Sequence, residues 1–342
     1  MRVMVRQLLW VAVAIVLLTA LQFLGDRSGF FTSLATRAGI FIVLAVSLNI
    51  VNGMTGQFSI GHAGFMAVGA YIAAKFTLGT MDAKISALPV AASDQTLFIV
   101  ALLLGGAAAA FGGLLVGLPS LRLKGDYLAI VTLGFGEIIR VILQNSEFFG
   151  RALGLSGIPQ RTSLFMIYAW VAITVIAAKR IAESSHGRSL TAIREDEIAA
   201  EAMGVNTTGY KVRAFVISAF FAGVAGGLFS HVYTINPGRF TFVESMEIVV
   251  MVTLGGLGST TGAVIAAVFL SLLPEGLRSL LGATLGPEMA SKADPIRMPI
   301  YGILLVLLML FRPQGLFGTK ELWNRRKQPN KRPEGTLQGG PA

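Results

Sequence analysis

Apolar residues recur along this chain in long runs, separated by short polar stretches and by glycines. A helix of about 20 such residues crosses a bilayer core of about 30 Å. The pattern predicts ten spans: 8–24, 34–52, 59–78, 97–118, 126–143, 163–179, 214–233, 246–258, 262–277 and 298–311. The eighth and ninth are short and interrupted by glycine. The third opens on several glycines and is expected to begin as a broken or re-entrant segment. Arg2 and Arg6 ahead of the first run imitate a signal peptide. That run is long and no small-x-small site directly follows it, so a retained first helix is expected.

Composition agrees with an all-α polytopic membrane protein. Of 342 residues, 54% are hydrophobic and 13% charged, against about 25% charged in a typical soluble domain. Mean hydropathy is +0.70. A disordered chain is excluded, and a soluble enzyme fits poorly. The expected organisation is one transmembrane domain over 1–318, containing a cytoplasmic loop at 180–213, and a basic flexible cytoplasmic tail over 319–342. In a soluble protein the net charge of +10 would suggest nucleic acid. Here it reads as positive-inside bias, with no nucleic-acid partner expected. Ten spans leave 17 Lys and Arg on the side of the termini and 9 in the opposite loops. Both termini are therefore expected in the cytoplasm.

The chemistry of catalysis is missing. The chain has no cysteine, no G-x-x-x-x-G-K-[ST] loop, no H-E-x-x-H pair and no G-x-S-x-G elbow. His62, His186 and His231 are too scattered to suggest a metal site. No enzyme activity and no cofactor are expected in this chain. Charges inside spans are few, and such charges are costly in lipid. Glu137 and Arg140 lie three apart near the outer end of the fifth span, so they share a helix face and read as a structural or functional pair. Glu244 and Glu247 repeat that spacing at the start of the eighth. An ion-coupled transporter has little to work with, so the energy source is expected elsewhere. Val131-Thr132-Leu133-Gly134 recurs as Val252-Thr253-Leu254-Gly255, a weak hint of internal duplication.

The loop at 180–213 is the most informative stretch. Ser189 precedes apolar positions Leu190, Ile193, Ile198, Ala202 and Met203, while Glu195, Asp196, Glu197 and Glu201 decorate the rest. Gly204 is a natural helix terminator. One or two short amphipathic helices are expected at the cytoplasmic surface. An acidic cluster suits a docking helix for a partner better than an ordinary interfacial helix.

Several segments carry a resemblance. LNIVNGMTGQFSIGHAGFMAVGAYIAA at 48–74, KGDYLAIVTLGFGEIIR at 124–140 and GRSLTAIREDEIAAEAMGVNTTGYKVRAFVISAFFAGVAGGL at 187–228 resemble permeases of branched-chain amino acid ABC importers, the LivM-like family. VTLGGLGSTTGAVIAA at 252–267 and FRPQGLFG at 311–318 extend the likeness over most of 40–318. The resemblance implies a bacterial inner-membrane permease that pairs with a homologous second permease. It implies two cytoplasmic ABC ATPases, which hydrolyse the ATP, and an extracytoplasmic binding protein that delivers the amino acid. It also implies that 180–213 carries the coupling helix. Glu201-Ala202-Met203-Gly204 stands where Glu-Ala-Ala and a later glycine are expected, so that motif transfers as a role and not residue by residue. Arg194, Glu195, Asp196, Glu201 and Gly204 are the residues expected to couple to the ATPase. By analogy of architecture, a ten-span permease resembles the large vitamin B12 permease-like class of importers.

The translocation path is sought at the glycine breaks, since bared backbone is tolerated only against protein or a water-filled cavity. GMTGQFSIGHAG at 53–64 and GGLGSTTG at 255–262 are the densest. Asn49, Asn52, Gln57, Ser59 and His62 bring polar groups to the first; Thr253 and Ser259, with Thr260 and Thr261, bring them to the second. Path or gate residues are expected here, although small residues also serve simply to pack helices closely. Cargo within the family could instead be urea or a short amide. The reading from a different class is a stand-alone secondary transporter.

Overall fold

The computed structural model describes residues 29–82, 94–120, 127–285 and a few positions between 302 and 318. The predicted span 8–24, most of 298–311 and the tail lie outside the described residues. The other eight predicted spans each coincide with a helix. These are α1 (Gly29–Asn49), which runs on as a π-helical turn over Ile50–Met54, α2 (His62–Asp82), α3 (Asp94–Ser120) and α4 (Tyr127–Asn145). After α5 (Leu164–Glu183) come two short helices, α6 (Ser185–Glu195) and α7 (Glu197–Ala202). Then follow α8 (Thr207–Ser230), α9 (Phe242–Gly255) and α10 (Thr260–Leu285).

Six of these segments are long and apolar enough to cross a membrane: 29–54, 94–120, 127–145, 164–183, 207–230 and 260–277. The eighth predicted span is a 14-residue helix, α9. At 1.5 Å per residue it reaches only about 21 Å. It ends at Gly255 because Gly256 takes a positive φ of 106°, which a side chain would resist.

The bundle is organised around α1. In its span, 29–54, 89% of the most apolar window is buried inside the protein, an unusual position for a helix in a membrane protein. Helices α5, α8, α9 and α10 pack around it. Beside it, α2, α3 and α8 form a tight three-helix unit, and its sequence explains why. Gly69 of α2 faces Gly223 of α8, Gly105 of α3 faces Gly69, and Gly113 of α3 faces Ala219 of α8. Lipid tails are as apolar as leucine, so helices in a bilayer gain by close backbone approach rather than by hiding apolar area. Large side chains fill the edges of this unit: Phe65 meets Phe215 edge to face at 5.5 Å, and Phe98 packs on His231 at 4.6 Å. Among the described residues the only β-pairing is a bridge of Leu155 with Ile235, which ties the α4–α5 connection to the α8–α9 connection.

The two copies of Val-Thr-Leu-Gly meet different surroundings. Gly134 in α4 has open space where a Cβ would sit, whereas Gly255 in α9 lies against Gly262 of α10.

A Cβ on Gly226 would overlap the Met66 carbonyl of α2. Gly226→Val is therefore expected to destabilise the bundle by about 3 kcal/mol, the upper part of the usual overpacking range. Gly79→Ala, where a Cβ meets nothing, is expected to be neutral. Unfolding midpoints of the two variants in detergent check this.

Candidate functional site: a glycine seam held by Arg194

Polar side chains after α1 first serve their own backbone. The chain leaves α1 through the π turn and then runs without regular structure to His62. Such a stretch bares backbone groups, and where it is buried they need partners from elsewhere in the chain. Asn52 answers for Ser59: Ser59 N–H donates to Asn52 Oδ1 at 3.1 Å, and Asn52 Nδ2 reaches the Ser59 carbonyl at 3.4 Å. Ile60 N–H donates to Thr132 Oγ1 of α4 at 3.1 Å, and Ala63 N–H to Ser245 Oγ of α9 at 3.1 Å. His62 Nε2 and Ser47 Oγ are hydrogen-bonded at 2.9 Å, fastening the start of α2 back onto α1.

The second break, between α9 and α10, meets the first. Gly258 N–H donates to Asn49 Oδ1 at 2.9 Å. Gly53 lies against Gly258 so closely that a Cβ on Gly53 would fall 2.8 Å from the Gly258 Cα. The two predicted glycine clusters, some 200 residues apart in sequence, thus form one seam. Gly315, in the FRPQGLFG segment, adds to it: a Cβ there would lie 2.6 Å from Gly256.

Arg194, at the end of α6, closes the seam. Its Nη1 donates to the Gly53 carbonyl at 3.0 Å, while Nε and Nη2 hold Glu195 at 3.2 and 2.7 Å. The side chain threads between two glycines in left-handed conformation. A Cβ on Gly56 (φ 71°) would lie 2.7 Å from Arg194 Cγ, and one on Gly258 (φ 87°) would lie 2.8 Å from Nη1. Both glycines are favoured by φ, and at Gly56 also by the space that the Arg194 side chain occupies.

The predicted amphipathic loop forms two helices. Helix α6 starts at Ser185, ahead of Ser189, because Ser184 caps it by accepting from Gly187 N–H at 3.2 Å. It ends where Asp196 caps α7, accepting from Ile198 and Ala199 N–H at 2.9 and 3.0 Å. Asp196 is thus occupied in turning the chain. Gly204 ends α7 with φ 84°. Of the predicted apolar positions, Leu190 and Ile193 are buried, whereas Ile198 and Met203 are 73% and 85% exposed. Glu201 is exposed beside them. Lys211 of α8 binds Glu197 at 2.6 Å and fixes the pitch of α7 against the bundle.

The remaining predicted path residues line the seam. Asn49, Asn52, Gln57, Ser59 and His62 are all buried. Ser259 is buried and accepts from Gly262 N–H at 3.1 Å, capping α10. Thr253 spends its hydroxyl on the Val249 and Val250 carbonyls of its own helix. Sequence reasoning missed Thr132 and Ser245, hydroxyls in apolar helices whose only signal was their polarity. It also had no means of seeing that Arg194 points into the bundle.

Comparisons agree with this architecture. A family model described as "Branched-chain amino acid transport system / permease component" matches residues 30–311. The high-affinity branched-chain amino acid transport system permease protein LivM of Salmonella typhimurium is 34% identical, the alignment covering 91% of this chain and 75% of that protein. The LivH permease protein of the same organism is 26% identical, covering 84% and 94%. A probable LivM of Methanocaldococcus jannaschii is 27% identical, covering 83% and 92%. Among solved structures, PsaBC from Streptococcus pneumoniae in complex with Fab shares 15% identity at a TM-score of 0.43, covering 83% of this chain and 92% of that one, a likeness too loose to transfer anything. By the extent of the family match and by its identity to LivM, the chain belongs to the permease component family of branched-chain amino acid transport systems.

Proposed function

We propose that this chain forms, with a homologous second permease, the path by which a branched-chain or similarly hydrophobic amino acid crosses the bacterial plasma membrane. Two cytoplasmic ABC ATPases supply the energy, and an extracytoplasmic binding protein supplies the cargo. The permease makes and breaks no covalent bond. The observation that carries the reading is the Arg194 contact, which joins a surface helix pair to a buried double break in the bundle.

On this reading α6 and α7 are the coupling element. Ile198 and Met203 form an apolar knob with Glu201 at its side, suited to a groove on an ATPase. Arg194 and Glu195 sit behind the knob and transmit its movement. When the ATPases close, the knob shifts, the guanidinium leaves its slot, and the seam is free to open. A hydrogen bond from a charged donor contributes about 1.5–3 kcal/mol. That is enough to hold one state and little enough for a docked partner to break. Asn49, Asn52, Gln57, Ser59, His62, Thr253 and Ser259 then belong to a gate, and alternating access follows as the permease pair opens to either side. Predicted spans 8–24 and 298–311 would bring to ten the eight predicted spans that fall on helices, as in the vitamin B12 permease-like class, with both termini cytoplasmic. A greasy path suits leucine, isoleucine and valine, and selection among cargoes falls to the binding protein.

Two outcomes are expected from complexes purified with their ATPases. Ile198→Asp with Met203→Asp removes two apolar anchors and should weaken ATPase retention on the order of a hundredfold. Arg194→Ala should retain the ATPases and their hydrolysis but lower leucine uptake per ATP about tenfold or more. Loss of the ATPases from Arg194→Ala would make Arg194 a docking contact instead. If the native chain retains no ATPase even under gentle conditions, the secondary-transporter reading takes precedence.

A further inference from the structure

Helix α4 departs from the rest of the bundle. Only 22% of its most apolar window is buried, the least of the six long apolar segments. Leu128, Ala129, Thr132 and Leu143 face inward. Ile130, Ile138, Val141 and Ile142 are exposed on the outer side. Between these two faces Glu137 and Arg140, both half-buried, and the exposed Gln144 stand one helical turn apart in succession. Arg140 Nε donates to Glu137 Oε2 at 2.7 Å, and Nη1 reaches Gln144 Oε1 at 3.3 Å.

The position of this ridge matters. Glu137 is the eleventh of the 19 residues of α4, so at 1.5 Å per residue it stands about 15 Å from the start of the helix, near its middle. The side chains are 28% exposed for Arg140 and 38% for Glu137. A charged pair in the middle of an apolar helix is costly against hydrocarbon and calls for protein or water beside it. Glu137 also lines a small crevice of about 10 Å³, walled by Gly61, Gly64, Gly136 and Ser245, which opens between α4, the start of α2 and the start of α9. That crevice adjoins the polar segment 55–61, whose Ile60 N–H is held by Thr132 of the same helix.

Chemistry selects the ligand. A free α-amino acid carries a carboxylate and an ammonium a few bonds apart and has no net charge. A Glu–Arg pair presents the matching two charges and has no net charge either. Empty, the pair satisfies itself. Loaded, it opens, the arginine binding the carboxylate and the glutamate the ammonium, so that neither partner is left unmet. Val141, one helical turn beyond Glu137, offers apolar contact to a branched side chain. On the permease reading above, we propose that the Glu137–Arg140 pair is a transient receptor for the two charged ends of a zwitterionic amino acid passing along a water-filled face of α4.

The chain lacks cysteine, which makes a direct test clean. The full complex, reconstituted in liposomes with binding protein, leucine and ATP, is compared for native chain, Glu137→Gln, Arg140→Gln and Val141→Cys. Glu137→Gln and Arg140→Gln should each lower leucine uptake about tenfold or more, the loss expected of one unmet charge-assisted hydrogen bond, with ATPase retention unchanged. Val141→Cys, in an otherwise native ridge, should react with a charged, membrane-impermeant methanethiosulfonate, and turnover with leucine should slow that reaction. Native uptake by either neutralised variant overturns the proposal. So does a Val141→Cys that stays inert, as it would if lipid or a helix of the second permease covers the ridge, or one that reacts at a rate leucine does not change. Failure of the permease reading is distinguishable, because the native complex would then lack both ATPases and ATP-dependent uptake.

Discussion

A backbone that breaks its helix inside a membrane must find hydrogen-bond partners in other protein segments, because the hydrocarbon offers none. Much of this fold is arranged around that constraint. The chain breaks after α1 and again between α9 and α10, and each break answers the other. Asn49 accepts from Gly258, Gly53 packs on Gly258, and the Gly53 carbonyl takes the Arg194 guanidinium. A single break would leave bared groups. Two breaks in register, with a cation laid across them, meet each other's bared backbone groups, while Asn49 Nδ2 and Gln57 Oε1 stay buried without a hydrogen-bond partner among the described residues.

That arrangement links the parts of the protein that look least related. Helix α1 is nearly enclosed, so any movement of its π turn must be accommodated by helices all around it. The α2–α3–α8 unit is held by glycine contacts that tolerate no added atoms. It therefore moves as a block or not at all. The softer elements are the short ones: α6, α7, the irregular segment before α2 and the 14-residue α9. Arg194 is where these soft elements converge. A bistable device needs rigid bodies joined at a few contacts that can exchange, and the division between glycine-packed block and polar seam has that form.

Much of this was legible in the sequence. Eight predicted spans fall on helices because apolar length is a one-dimensional property, dictated by bilayer thickness. The two glycine clusters stood out because glycine and polar residues inside apolar runs violate the rule that governs the rest. Gly204 was readable as a terminator, and it has the positive φ that only glycine adopts without strain. Less legible was the role of each polar side chain. Thr132 and Ser245 are hydroxyls in apolar helices, and nothing local says that one receives an N–H from the segment before α2 and the other an N–H from the start of α2. Asp196 read as one acid in an acidic cluster, yet it caps α7.

The sequence by itself determined that this is a helical chain with several membrane-spanning segments and one or two short amphipathic helices in its charged loop, since hydropathy acts over neighbouring residues. Only the tertiary structure decided what the breaks do. Gly53 and Gly258 are about 200 residues apart, and no local signal carries their contact. The same holds for the contact of Arg194 with the Gly53 carbonyl, which joins residues far apart in the sequence. The reason is physical. Spans are set by how each segment partitions into lipid, one at a time, whereas a hydrogen bond between segments exists only once packing has brought them together.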